Sequence, residues 1–181
     1  MIWSAAVFTV AWVLAATGQS PQLPKKVDLI AYLQAGYAGL KANLTSAAEA
    51  MPEADYGFKP TSMSEVRTFG ETILHVASSH FSLCARLRGV ADEPRQKIEH
   101  TNKADVLKTL AASFSSCDAA LSSLTDASAN ESVQQGPVEI PRSAALVGLL
   151  AHDAEMYGIT TVYLRAKNIV PPSTARQKGN R

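Results

Sequence analysis

The stretch that decides the fold is Thr68–Gly89, "TFGETILHVASSHFSLCARLRG". Thr68 and Glu71 stand at the spacing where a threonine hydroxyl and a glutamate carboxylate cap one another's backbone N–H groups, so a helix is expected to start just after Thr68. Ile73, Val76, Ala77, Phe81, Cys84 and Leu87 recur at helical spacing and form an apolar stripe. Gly89 is the expected stop. Glu71, Thr72, His75, Ser78, Ser79 and Ser82 make a polar flank, which on spacing alone reads as the solvated face of an amphipathic helix, with His75 on the surface. His80 falls nearer the apolar stripe and reads equally as a core histidine with a hydrogen-bond partner.

Three further segments share this period. Val27 to Ala50 carries Leu29, Tyr32, Leu33, Tyr37, Leu40 and Leu44 on one side. Lys103 to Leu124 carries Val106, Leu107, Leu110, Phe114, Cys117, Ala120, Leu121 and Leu124. The last runs from Pro141, a residue tolerated in a first helical turn, to Asn168, where "VPPS" stops it. The breaks are "MPEADYGFKPTSMSEVR", "VADEPRQKIEHTN" and "TDASANESVQQGPVEIP". His100, in the second break beside Glu99, reads as a solvated loop residue. No strand is expected, because Val138 to Ile140 is too short to build a sheet, and the tail "TARQKGNR" is expected to fray. Four amphipathic helices in 181 residues predict an all-α, four-helix bundle in a single domain.

Seventeen basic and 16 acidic residues leave a net charge of +1, so no electrostatic argument points to nucleic acid. Ile2 to Ala16 is an uncharged apolar run, shorter than the roughly 20 residues of a membrane span. Ala16 and Gly18 suit the positions before a signal-peptidase cut at Gln19. Residues 1–18 are therefore expected to be a signal peptide and residues 19–181 an exported domain, secreted or periplasmic. An uncleaved anchor is the alternative, since no Lys or Arg precedes the run. Outside the cytoplasm, Cys84 and Cys117 can close a disulfide; the alternative is two buried thiols. Each lies about fifteen residues into its helix. At about 1.5 Å of rise per residue, a bridge requires the second and third helices to run parallel, with the connection between them crossing their length at about 3.3 Å per residue.

The remaining chemistry sits in "LLAHDAEMYG", residues 149–158. His152 lies on the row Leu149, His152, Met156, Ile159 and Tyr163, which has core spacing. Asp153 and Glu155 flank it, and Glu155 at i+3 can face the same cavity. From the residues alone, His152 is a core histidine bonded to a carboxylate or to backbone.

Two stretches carry a resemblance that changes this reading. "YGFKPTSMSEVRTFGETILHVASSHFSLCARLRG" and "LLAHDAEMYGITTVYLRAKNIVPPS" are similar to the DinB-like superfamily of four-helix proteins. The resemblance implies up-down-down-up order with parallel second and third helices, and metal-dependent thiol transferase or hydrolase chemistry. It also implies a metal held by one histidine of the second helix and a His-x-x-x-His pair of the fourth. The first position falls on His75 and the second on His152, while the third falls on Met156. A thioether is a poor ligand for Zn²⁺ or Ni²⁺.

Three expectations follow from that departure. Glu155 completes a two-histidine, one-carboxylate site for Zn or Ni. Alternatively His75, His152 and Met156 form a soft set for Cu(I), or no metal binds. His75 and His152 should lie close across the interior with Met156 and Tyr163 beside them. The competing class is a non-catalytic binding or structural module, for which a homodimer is a natural state. The enzyme reading implies a small-molecule partner that the sequence does not name.

Overall fold

Thr68 caps its helix as its spacing predicts. The Glu71 N–H donates to Thr68 Oγ1 at 3.2 Å, and the Thr68 N–H donates to Glu71 Oε2 at 2.6 Å. The helix that follows, α2, spans Phe69–Leu87 and closes through Gly89, whose φ of 72° favours a residue without a Cβ. A computed structural model describes residues 27–90 and 102–179; the expected signal peptide and His100 lie outside the described residues. Around α2 stand α1 (Leu29–Ala50), α3 (Lys103–Ser122) and α4 (Arg142–Ala166), with a short C-terminal α5 (Pro172–Gly179). Two strands, β1 (Ser132–Gln135) and β2 (Val138–Pro141), lie between α3 and α4. The described chain is thus mostly helical, with five α-helices and one small sheet.

Side-chain contacts fix the directions of the long helices. His80 meets Ser113 and Cys84 is joined to Cys117, and both pairs are 33 residues apart, so α2 and α3 run parallel. Gln34 Nε2 donates to Leu121 O at 2.8 Å, whereas Lys103 Nζ donates to Met51 O at 2.9 Å. The start of α1 therefore meets the end of α3, and these two helices are antiparallel. On α4, Tyr163 reaches back to Arg67 just before α2, while His152 meets His75, so α4 is antiparallel to α2.

The Cys84–Cys117 disulfide has a Cα–Cα distance of 5.0 Å, and both residues are fully buried. It closes a separation of 33 residues, for which the chain-entropy model gives about 3–4 kcal/mol of stabilisation. The same buried core holds Leu44, Phe69, Ile73, Val76, Leu146, Leu149 and Leu164, all without solvent exposure. Each of the larger ones contributes about 1.5–3 kcal/mol relative to an exposed position.

Three expectations are corrected. Val138 to Ile140 does form a strand: β2 pairs antiparallel with β1, Gln135 opposite Val138 and Ser132 opposite Pro141. Gly136 opens the two-residue loop at a φ of 57°, as short hairpin loops require, and buried Val133 anchors the hairpin on the helices. The tail is ordered as α5 through Gly179. Tyr157 Oη donates to Ser173 Oγ at 2.8 Å and accepts from the Ser173 N–H at 3.0 Å, and Arg176 bonds the Asn43 side chain. Finally, the polar flank of α2 is solvated only in part: Glu71 is exposed, and His75 and Ser78 are half-buried. Thr72, Ser79 and Ser82 are buried, because α3 and α4 enclose α2 on two sides. Thr72 tolerates this by donating to Thr68 O at 2.9 Å, within its own helix.

Candidate metal centre

The flank of α2 that carries His75 faces the middle of α4. His75 Nε2 and His152 Nε2 stand 3.4 Å apart, with ring centroids 5.3 Å apart and planes inclined at 55°. Both residues are half-buried, and the His152 side chain keeps 19% exposure. Two imidazoles bound to one ion at about 2.05 Å would place their nitrogens at this separation with an angle near 110° at the ion. The same separation suits a long N–H···N hydrogen bond, so the pair can exist with or without an ion.

The ring of His152 is backed by a carboxylate. Its Nδ1 lies 3.5 Å from Asp153 Oδ1, at the outer limit of a hydrogen bond. Asp153 Oδ1 also meets His80 Nε2 at 2.8 Å, and the side chains of both residues have no solvent exposure. His80 Nδ1 is 3.1 Å from Ser113 Oγ, which donates to Leu110 O at 2.8 Å. The His80 ring also packs on Phe114, with centroids 4.8 Å apart. The second carboxylate oxygen, Asp153 Oδ2, is buried without a hydrogen-bond partner. Burial on its own would raise the Asp153 pKa, but the hydrogen bonds from His152 and His80 outweigh it and hold the group below the ordinary carboxylate value.

The other expected site residues divide. Met156 is buried at 6% exposure, one turn beyond His152 on α4. Glu155 is exposed. Among the described residues no group of three or more His, Cys, Asp or Glu side chains is placed to hold a metal, so Glu155 does not join the two imidazoles in this conformation. Tyr163 is buried but directs its hydroxyl to Arg67 O at 2.7 Å, with its ring against Phe58 and Phe69. Ile159, placed on the core row by its spacing, is 37% exposed. The buried row of α4 instead runs through Leu146, Leu149, Asp153, Met156, Thr160 and Leu164. Asp153 is thus the residue that sequence reasoning undervalued, and its i+4 and i−3 spacing from Leu149 and Met156 was the available signal.

A helical protein with two imidazoles facing across antiparallel helices, and a buried carboxylate behind one of them, defines a class with a candidate two-histidine centre. The family comparison is more specific. Residues 37–158 match the DinB superfamily, and the chain belongs to that family. Among solved structures, a DinB-like protein from Bacillus cereus superposes with a TM-score of 0.66 at 13% identity, covering 77% of this chain and 93% of that one. A DinB-like protein from Bacillus subtilis gives 0.63 at 18% identity, covering 77% and 94%. At these identities the likeness is one of fold. No curated protein matches the chain.

Proposed function

We propose that this is an exported DinB-like domain whose four long helices form a four-helix bundle in up-down-down-up order. Its function is metal-dependent thiol transfer or hydrolysis at a site held by His75 and His152, with Met156 in the third position. The observation that carries this reading is the 3.4 Å approach of the two Nε2 atoms at a half-exposed position. Ring nitrogens sealed in a core normally find protein partners, as both nitrogens of His80 do. A pair turned toward each other at a partly open surface suits a shared cation.

The donor set fits a metal only partly. Two imidazoles suit Zn, Ni and Cu alike, whereas a thioether favours the softer Cu(I). With Glu155 exposed, the carboxylate-completed Zn or Ni site is the less supported version. When bound, an ion here would supply Lewis acidity toward a water or thiol on its open side. The chain itself supplies two imidazole donors, a buried carboxylate behind one of them, and a buried thioether one turn away. Export rests on the signal-like segment 1–18 and on the disulfide, which persists in oxidising compartments.

The second reading is a non-catalytic binding or structural module that has lost the metal. Met156 favours it, since one of the family's three imidazole positions is gone. Elemental analysis of protein purified without an affinity tag separates the two. The metal reading expects near-stoichiometric Zn, Ni or Cu that His75→Ala and His152→Ala both abolish. Metal-free wild-type protein that takes up none on dialysis against these ions would leave the module reading.

A further inference from the structure

We infer that Asp153 is the positioning residue of the centre, and that His80 and Ser113 exist to hold it. A carboxylate without exposure is expensive to bury, even when paired. Asp153 leaves Oδ2 unbonded as well, so its environment is not optimised for stability. Apolar side chains of similar volume in place of a buried pair are often as stable or more stable. The geometry points instead to an effect on His152.

A carboxylate oxygen can only accept. Asp153 Oδ1, 3.5 Å from His152 Nδ1, therefore favours the tautomer of His152 with its proton on Nδ1. The lone pair then sits on Nε2, which faces His75 Nε2 at 3.4 Å. That is the orientation a metal-ligating histidine needs, with its second nitrogen donating to a carboxylate. The direction holds even at a long contact distance, because a proton on the far nitrogen would leave a lone pair facing the negative charge.

Asp153 cannot swing away, because Oδ1 is tied to His80 Nε2 at 2.8 Å and His80 is tied through Nδ1 to Ser113. The tie depends on the register of α2 against α3. Cys84 and Cys117 lie one turn beyond His80 and Ser113 on their respective helices, at the same separation of 33 residues, so the disulfide locks that register. The structure thus holds a continuous line, Ser113–His80–Asp153–His152–His75, that runs from a sealed core to a half-open surface.

This inference deepens the proposed metal site and rests on it, yet its first test needs no metal. Long-range ¹H–¹⁵N imidazole spectra of the metal-free chain at mildly alkaline pH should show neutral His152 mainly as the Nδ1–H tautomer. A predominant Nε2–H form would overturn the proposal. The second test is Asp153→Asn, which keeps the shape and an acceptor for His80 but removes the charge. The Nδ1–H bias should weaken, and affinity for Zn²⁺ alone should fall about 10–100-fold. A purely structural Asp153 would lower thermal stability while leaving tautomer balance and Zn²⁺ affinity unchanged, and that result would also overturn it. Should Asp153→Asn fail to fold, the wild-type spectrum decides. If wild-type protein shows the Nδ1–H form but binds neither Zn²⁺ nor Cu(I), positioning stands and the metal function fails.

Discussion

Helix α2 carries two histidines little more than one turn apart, and their surroundings differ in a way that separates support from function. On the side toward α3, His80 is sealed beneath Phe114 beside the disulfide, and each ring nitrogen has a protein partner. On the side toward α4, His75 is half-buried and one of its nitrogens faces another imidazole. The residue types are the same, so chemistry alone does not distinguish them. Burial and partner do. A fully enclosed imidazole is inaccessible to an ion or substrate and can act only on its neighbours, whereas the half-open pair can be reached from solvent. Asp153 touches both environments, with one oxygen shared between them.

The sharpest way to break this contrast is to remove a partner on the sealed side. His80→Ala leaves the Asp153 charge buried and should cost about 3–5 kcal/mol in urea unfolding. His75→Ala, at the half-open site, should cost under about 1 kcal/mol in the absence of metal. Equal costs would mean that the two sites are not physically distinct. Next comes the disulfide. Native mass spectrometry without reductant should find Cys84 joined to Cys117, and Cys84→Ser with Cys117→Ser should lower stability by about 3–4 kcal/mol. Two thiols that alkylate in the native protein would remove the lock on the α2–α3 register.

Smaller effects are expected at the start of α2, far from either histidine partner. Thr68→Ala removes a cap and should cost about 1 kcal/mol. The Glu71 carboxyl is held below its ordinary value, first by the backbone hydrogen bond from Thr68. Its pKa is depressed on folding, so its contribution is present above the unfolded carboxylate value of about 4.3 and is lost as pH falls through the lower folded value. Glu71→Gln should remove this part of the acid dependence of the melting temperature. An acid limb unchanged by the substitution would show that the cap does not hold in solution.

The features legible in the sequence were those fixed by local chemistry or by chain length. The Thr68–Glu71 cap and the stop at Gly89 are local, and the parallel pairing of α2 with α3 follows, once the two cysteines are bridged, from where they fall along their helices. The β1–β2 hairpin was not legible because four-residue strands are too short to display alternation, although Gly136 at the head of a two-residue loop was a real signal. The polar flank of α2 misled because serine and threonine can bond their own helix, as Thr72 does, so small polar residues pack between helices without solvent. At the site, His75 and His152 came from resemblance and are brought together, while Asp153 was hidden by assigning the core row to its neighbour. Reading that row requires knowing which face of α4 meets α2, and this is a tertiary fact.

The contrast between the two histidine environments comes down to whether the half-open pair is a metal centre with one ligand changed. Calorimetric titration of the parent and of Met156→His with Zn²⁺ addresses this directly. Positions 152 and 156 share a face of α4 one turn apart, so a third imidazole can join the pair without moving the backbone. Met156→His should bind Zn²⁺ at least 100-fold more tightly than the parent, and the parent should respond more to Cu(I) than to Zn²⁺. Equal and weak Zn²⁺ binding by both proteins would contradict the account, leaving His75 and His152 as a hydrogen-bonded pair on a scaffold that has kept the fold without the metal.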